Sequence, residues 1–201
     1  MLEGFWDTGR RENMSESEDE MKAKICLVGD SSVGKTSLIR RYVHNEFDDK
    51  YISTIGAKIS KVEMTIDTDE GDIKVNMTIW DIMGGKGFVE LLKESYFDGA
   101  GGILAVCDLT REDTFEGLKD WITAARAITG EIPIAFVGNK NDLEDLVCSE
   151  VDLSTLAGGY ESPHFLASAK TGDNVNRVFM SLARRVLEKE SKAQRVSSQP
   201  K

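Results

Sequence analysis

Residues 29–36 read Gly-Asp-Ser-Ser-Val-Gly-Lys-Thr, directly after the apolar run Ile25-Cys26-Leu27-Val28 and directly before a helix-like stretch. A loop bounded by glycines between a buried strand and a helix is a phosphate cradle. Gly29 and Gly34 let the backbone curl, so that successive N–H groups across Asp30, Ser31, Ser32 and Val33, and the positive end of the helix entered at Ser37, face negative charge. Lys35 then reaches the β- and γ-phosphates. Thr36 offers a hydroxyl to Mg²⁺, a hard cation that takes oxygen ligands in an octahedral shell.

Working outward, apolar strand-like runs occur at 24–29, 58–67, 73–82, 101–108, 132–138 and 164–168, separated by helix-like segments. That alternation predicts an α/β fold with a mostly parallel six-stranded sheet and helices on both faces. The link Asp67-Thr68-Asp69-Glu70-Gly71-Asp72 is too short for a crossover helix, so the second and third strands should form an antiparallel edge hairpin. The last helix carries Val175, Val178, Phe179, Leu182 and Val186 on one stripe, with Asp173 placed to cap it.

Three segments are expected. Residues 1–21 form an acidic, disordered extension with no apolar periodicity, 22–190 the folded domain, and 191–201 a flexible tail. Within the extension, Phe5 and Trp6 stand out. Their ordinary reading is a solvated tail or a local stack, and the alternative is a docking peptide.

Composition bounds the function. The 201 residues are 40% hydrophobic and 30% charged, as in a soluble single domain, and the net charge of −10 argues against adhesion to nucleic acid or an anionic bilayer. Cys26, Cys107 and Cys148 suit a reducing compartment and form no metal or disulfide framework. There is no membrane-spanning run and no secretory signal, Leu2 follows Met1, and no cysteine lies near the terminus, so a cytoplasmic monomer without its own lipid anchor is expected. His44 and His164 are isolated and carry no chemistry.

A phosphate loop alone leaves ATPase, kinase and GTPase open. Asn139-Lys140-Asn141-Asp142 follows the strand-like Ile134-Ala135-Phe136-Val137, and Ser168-Ala169-Lys170 follows Phe165-Leu166-Ala167, both at strand ends where α/β folds place ligands. The Asp142 carboxylate can accept from N1–H and the exocyclic amine of guanine. Adenine offers no such paired donors. Taken alone, Asn139 to Asp142 reads equally well as a polar turn.

Five motifs in order, Gly29 to Thr36, Tyr51 to Gly56, Trp80-Asp81-Ile82-Met83-Gly84, Asn139 to Asp142 and Ser168 to Lys170, resemble the Ras superfamily of small GTPases over roughly residues 22–190, most nearly its Rab-like branch. The resemblance implies binding of GTP and GDP with Mg²⁺ and a switch made of two loops. It places Thr54 and Asp81 beside Thr36 as metal-site residues, and the Gly84 N–H on the γ-phosphate. Lys35, Thr54 and Gly84 thereby serve hydrolysis. Phe47 would set its edge against guanine, Lys140 would flank the base, and Ala169 would give a backbone N–H to its O6. Effectors, an exchange factor and a GTPase-activating protein are the implied partners.

The chain departs from the family after Gly84. Where Gln-Glu is usual it reads Gly85-Lys86-Gly87-Phe88, and its only glutamines are Gln194 and Gln199. A glycine cannot orient water, so slow intrinsic hydrolysis is expected, with a nucleotide-stabilised or constitutively GTP-bound scaffold as the alternative. The segment Ala57-Lys58-Ile59-Ser60 also lacks the acidic-aromatic pair typical of Rab proteins, and the chain ends without prenylation cysteines. In that combination it resembles archaeal Rab-like GTPases. Trp80 and Trp121 read as packing residues at strand and helix ends.

Overall fold

The computed structural model describes residues 20–48, 53–69, 71–85 and 95–197. The described chain runs β1 (Glu20–Val28), α1 (Lys35–His44), β2 (Ala57–Thr68), β3 (Gly71–Ile82), a helical turn at 95–97, β4 (Gly102–Asp108), α2 (Glu112–Glu116), α3 (Leu118–Thr129), β5 (Ile134–Asn139), α4 (Glu150–Gly158), β6 (His164–Leu166) and α5 (Val175–Ser197). The strands form one sheet of order β2-β3-β1-β4-β5-β6. Only β2 and β3 pair antiparallel, through the expected tight hairpin, and every other neighbour is parallel.

The period-2 alternation of a strand divides the core between the two sheet faces. Ile25 and Leu27 of β1, Leu104 and Val106 of β4, and Ala135 and Val137 of β5 pack with Leu38 of α1 and Val178, Phe179 and Leu182 of α5. Their neighbours Cys26 and Val28, Ile103, Ala105 and Cys107, and Ile134 and Phe136 pack on the other face with Trp121 and Ile122 of α3 and Leu153 of α4. A strand covered on both faces reads as a continuous apolar run, which is why β4 and β5 are buried throughout.

The regular structure is longer at both ends than the apolar runs suggest. β1 starts at Glu20 rather than near Lys24, because Met21 and Ala23 are buried while Glu20 and Lys22 are exposed, and this short alternation is paired with β3 from Lys74 onward. The last helix continues to Ser197, so residues 191–197 are helical and not a loose tail. Lys192, Ala193 and Gln194 are strong helix formers, and Leu187, Ser191 and Lys192 border a groove shared with the β2–β3 hairpin. Asn174, rather than Asp173, immediately precedes α5, in a left-handed conformation that asparagine tolerates, and its amide donates to the Leu166 carbonyl at 2.8 Å. Phe5, Trp6 and the acidic cluster before Glu20 lie outside the described residues, as do Tyr51 and Ile52 and the segment from Lys86.

Candidate functional site

All the parallel strands present their C-terminal ends on one edge of the sheet, and the loops there converge on one cleft of about 320 Å³. Its lining includes Ser31, Ser32, Gly34, Lys35, Thr36 and Ser37 from the first loop and helix, Phe47 and Thr54 from the segment before β2, Gly84 after β3, and Asn139, Lys140, Asp142, Ala169 and Lys170 from the two loops beyond β5 and β6. Gly29, Asp30, Val33, Asp81 and Ser168 are absent from that lining and stand behind it.

The first loop is shaped for an anion. Gly34 occupies the N-cap of α1 with φ 98°, and no side chain caps the helix, so its first N–H groups are available to a ligand. Ser32 is also left-handed, with φ 65°. The Lys35 ammonium is folded back over the loop, donating to the carbonyls of Gly29 at 2.7 Å and Asp30 at 2.8 Å. Across the cleft, Gly84 lies so close that a Cβ there would sit 2.5 Å from the Asp30 carbonyl oxygen and the Ser31 nitrogen. Only a residue without a side chain permits that approach. The Met83 N–H donates to the Gly56 carbonyl at 3.0 Å, tying the segments on either side of the hairpin together.

Three oxygens gather at the other side of Lys35. The Thr36 hydroxyl donates to Asp81 Oδ2 at 2.5 Å and lies 3.0 Å from the Thr54 hydroxyl. Asp81 is 2% exposed and its Oδ1 has no hydrogen-bond partner. Burial pushes the Asp81 carboxyl above its usual range, opposed by the Thr36 hydrogen bond and the charges of Lys35 and Lys58. An orphaned buried carboxylate oxygen beside two hydroxyls fits a small hard cation. Among the described residues no group of three or more His, Cys, Asp or Glu side chains gathers.

The far end of the cleft is built from interlocking polar side chains. Asn139 is buried, its amide donating to the Val33 carbonyl at 2.8 Å and its oxygen accepting from the Ala169 N–H at 3.1 Å. The N–H expected to meet a base oxygen is therefore already engaged, and a base must share or replace that bond. The buried Ser168 hydroxyl donates to Asp142 Oδ1 at 2.6 Å and fixes one carboxylate oxygen. Lys140, left-handed at φ 68°, is anchored at 2.5 Å to the fully buried Asp108, which also accepts from Thr110.

Three supports had no motif to announce them. Arg41 of α1 donates to the carbonyls of Ala169 at 2.9 Å and Lys170 at 2.5 Å, clamping that loop from below. The Trp121 indole N–H donates to the buried Asp30 carboxylate at 2.8 Å, fastening the first loop to α3. Asp108 holds Lys140. A lone arginine on an amphipathic helix looks like any solvated cation, and Trp121 reads as packing, which it also does at 4% exposure.

The model of the Ras family matches residues 24–188, which takes in all six strands apart from the first residues of β1, and all five loops of the cleft. The chain belongs to the Ras family. It is similar to Ras-related protein Rab-21 of Homo sapiens, 37% identical over 167 residues that cover 82% of this chain and 73% of that one. It is also similar to Ras-related protein SEC4 of Saccharomyces cerevisiae, 38% identical over 168 residues, covering 83% and 75%. Rab-21 of Dictyostelium discoideum is 33% identical over 173 residues, covering 85% and 79%. The chain is thus a Rab-like small GTPase.

Proposed function

We propose that this Ras-family GTPase is a slow switch, which binds GTP and GDP in the cleft and hydrolyses GTP weakly unless a partner completes the site. Gly85 carries the reading. It follows the Gly84 that touches the first loop, yet it offers no side chain to position water, and a Cβ built on it meets nothing within 4 Å among the described residues. Its φ of 139° is one that L side chains rarely adopt, so this backbone suits glycine.

The remaining machinery is suited to charge stabilisation. The N–H groups at the start of α1 and the Lys35 ammonium would draw charge from the β- and γ-phosphates as water attacks the γ-phosphorus in line with the leaving oxygen. Thr36, Thr54 and Asp81 would hold Mg²⁺, which neutralises phosphate charge when bound. Asp142, steadied by Ser168, would select guanine, with Phe47, Lys140, Ala169 and Lys170 enclosing the base. Thr54 and Gly84 meet the γ-phosphate in this reading, so its loss releases both loops. Ile55 at 89% and Ile59 at 49% exposure place apolar surface beside Thr54, where an effector, exchange factor or activating protein would sense that release. No described helix is long and apolar enough to cross a membrane. We place the switch's action in the cytoplasm.

Single-turnover hydrolysis of preloaded GTP with Mg²⁺, compared between the native chain and Gly85→Gln, tests this. A slow native rate that rises with glutamine supports the reading. A native rate typical of the family that glutamine leaves unchanged overturns it. A slow rate that neither glutamine nor any added arginine-bearing partner raises would favour the second reading that Gly85 permits, a nucleotide-stabilised scaffold.

A further inference from the structure

A groove of about 360 Å³ lies between the β2–β3 hairpin and α5, lined by Ile66 and Ile73 with Asp67 and Asp69 on one side, and by Leu187 with Arg184, Lys192, Arg195 and a single carboxylate, Glu188, on the other. It is at the end of the sheet opposite the nucleotide cleft. The register places Ile66 opposite Ile73, and Glu20 opposite Lys74 next in the chain. Residues 1–19 therefore join the described fold beside this groove.

We propose that the groove is the docking site of the chain's own residues 1–19. The segment carries the matching chemistry in the matching order. Glu16, Glu18 and Asp19, nearest the strand, meet the α5 side, where three cations outnumber the one carboxylate of Glu188 and neither Arg184 nor Lys192 has a hydrogen bond or ion pair with another described residue. Arg10 and Arg11, farther out, reach the Asp67 and Asp69 carboxylates of the hairpin. Phe5 and Trp6 are the only aromatic residues before Glu20 and supply apolar area for Ile73 and Leu187. Reach is no obstacle: an extended chain covers about 3.3 Å per residue, so the fourteen steps from Glu20 back to Trp6 span up to ~45 Å. Docking joins the hairpin to the end of α5 and keeps an aromatic pair out of water.

The test uses the full chain with Thr8→Cys carrying a thiol-reactive spin label. The native cysteines are buried, and burial pushes the Cys26 and Cys107 thiols up to about 12, so the label goes to the new site. Amide signals of Ile66 to Ile73 and Arg184 to Arg195 should lose intensity, and those of the exposed Leu146, Val147 and Val151 should not. The loss should vanish when Phe5 and Trp6 are both replaced by alanine, and weaken with Arg184→Glu and Lys192→Glu. Three outcomes overturn the proposal: no localised loss, loss centred on Leu146 to Val151, or loss that persists between labelled and unlabelled copies mixed together, which would assign the groove to a second copy.

Discussion

At the residue scale, the site depends on second partners that hold the obvious ones. In the proposed function Asp142 would read a guanine edge, which requires its carboxylate to stay in one orientation, and the buried Ser168 hydroxyl, 2.6 Å from Oδ1, fixes it. A hydrogen bond to a charged group is worth about 1.5–3 kcal/mol, and 1.4 kcal/mol is about tenfold in an equilibrium. Ser168→Ala should therefore raise the GDP dissociation constant by about tenfold or more while the fold persists, measured with a fluorescent guanine nucleotide. It should also narrow the preference for GDP over inosine diphosphate, which lacks the exocyclic amine that Asp142 would accept from. An unchanged preference would show that Ser168 only packs. Gly84 and Gly85 illustrate how neighbours of one type have different reasons: the first is glycine because another backbone lies 2.5 Å from where its Cβ would be, the second because of an unusual φ.

At the scale of elements, the first loop is held from three directions, by β1 before it, α1 after it and α3 beside it. The last of these is the Asp30–Trp121 bond, made between two buried groups at 2.8 Å. Trp121→Phe keeps most of the apolar contact but leaves a buried carboxylate oxygen without that donor, a loss of about 1–3 kcal/mol. Thermal unfolding should fall accordingly and nucleotide should leave faster, and adding Asp30→Asn to the variant should recover part of the stability by removing the charge. Equal losses in single and double variants would count against the link. This bond also shows where sequence reading stops. The phosphate loop, the strands flanking it, the hairpin and the loops at Asn139 and Ser168 are legible because they are local patterns of spacing and period. The Asp30–Trp121, Arg41–Ala169 and Lys140–Asp108 contacts join residues separated by 91, 128 and 32 positions, and no local pattern encodes them. The ends of β1 and α5 were hidden for a related reason, since polar residues there adopt regular structure by pairing with β3 and by continuing an established helix.

For the whole molecule, two thiols report on the integrity of the central sheet. Cys26 lies in β1 and Cys107 in the adjacent β4, both fully buried, and burial pushes each thiol up to about 12 from an ordinary 9.0. At pH 8 the thiolate fraction in the folded state is about one in ten thousand, so alkylation waits for an opening that returns the thiol to its ordinary range. If the sheet opens as one unit, GDP with Mg²⁺ at about a hundred times its dissociation constant should slow labelling of both cysteines by about a hundredfold, equivalent to ~2.7 kcal/mol. Mass spectrometry of quenched time points separates the sites, and protection of Cys107 without Cys26 would mean that the nucleotide stabilises only part of the sheet. The same shifts set a pH dependence. Because the folded values lie above the unfolded ones, their contribution to stability is fully present below about pH 9, where both states keep the proton. As pH rises from about 9 toward 12 the unfolded chain releases protons that the folded one retains, and this contribution is lost. The denaturant midpoint should fall across that window, and Cys26→Ala with Cys107→Ala should flatten the fall. An equally steep fall in the double variant would assign it to other groups.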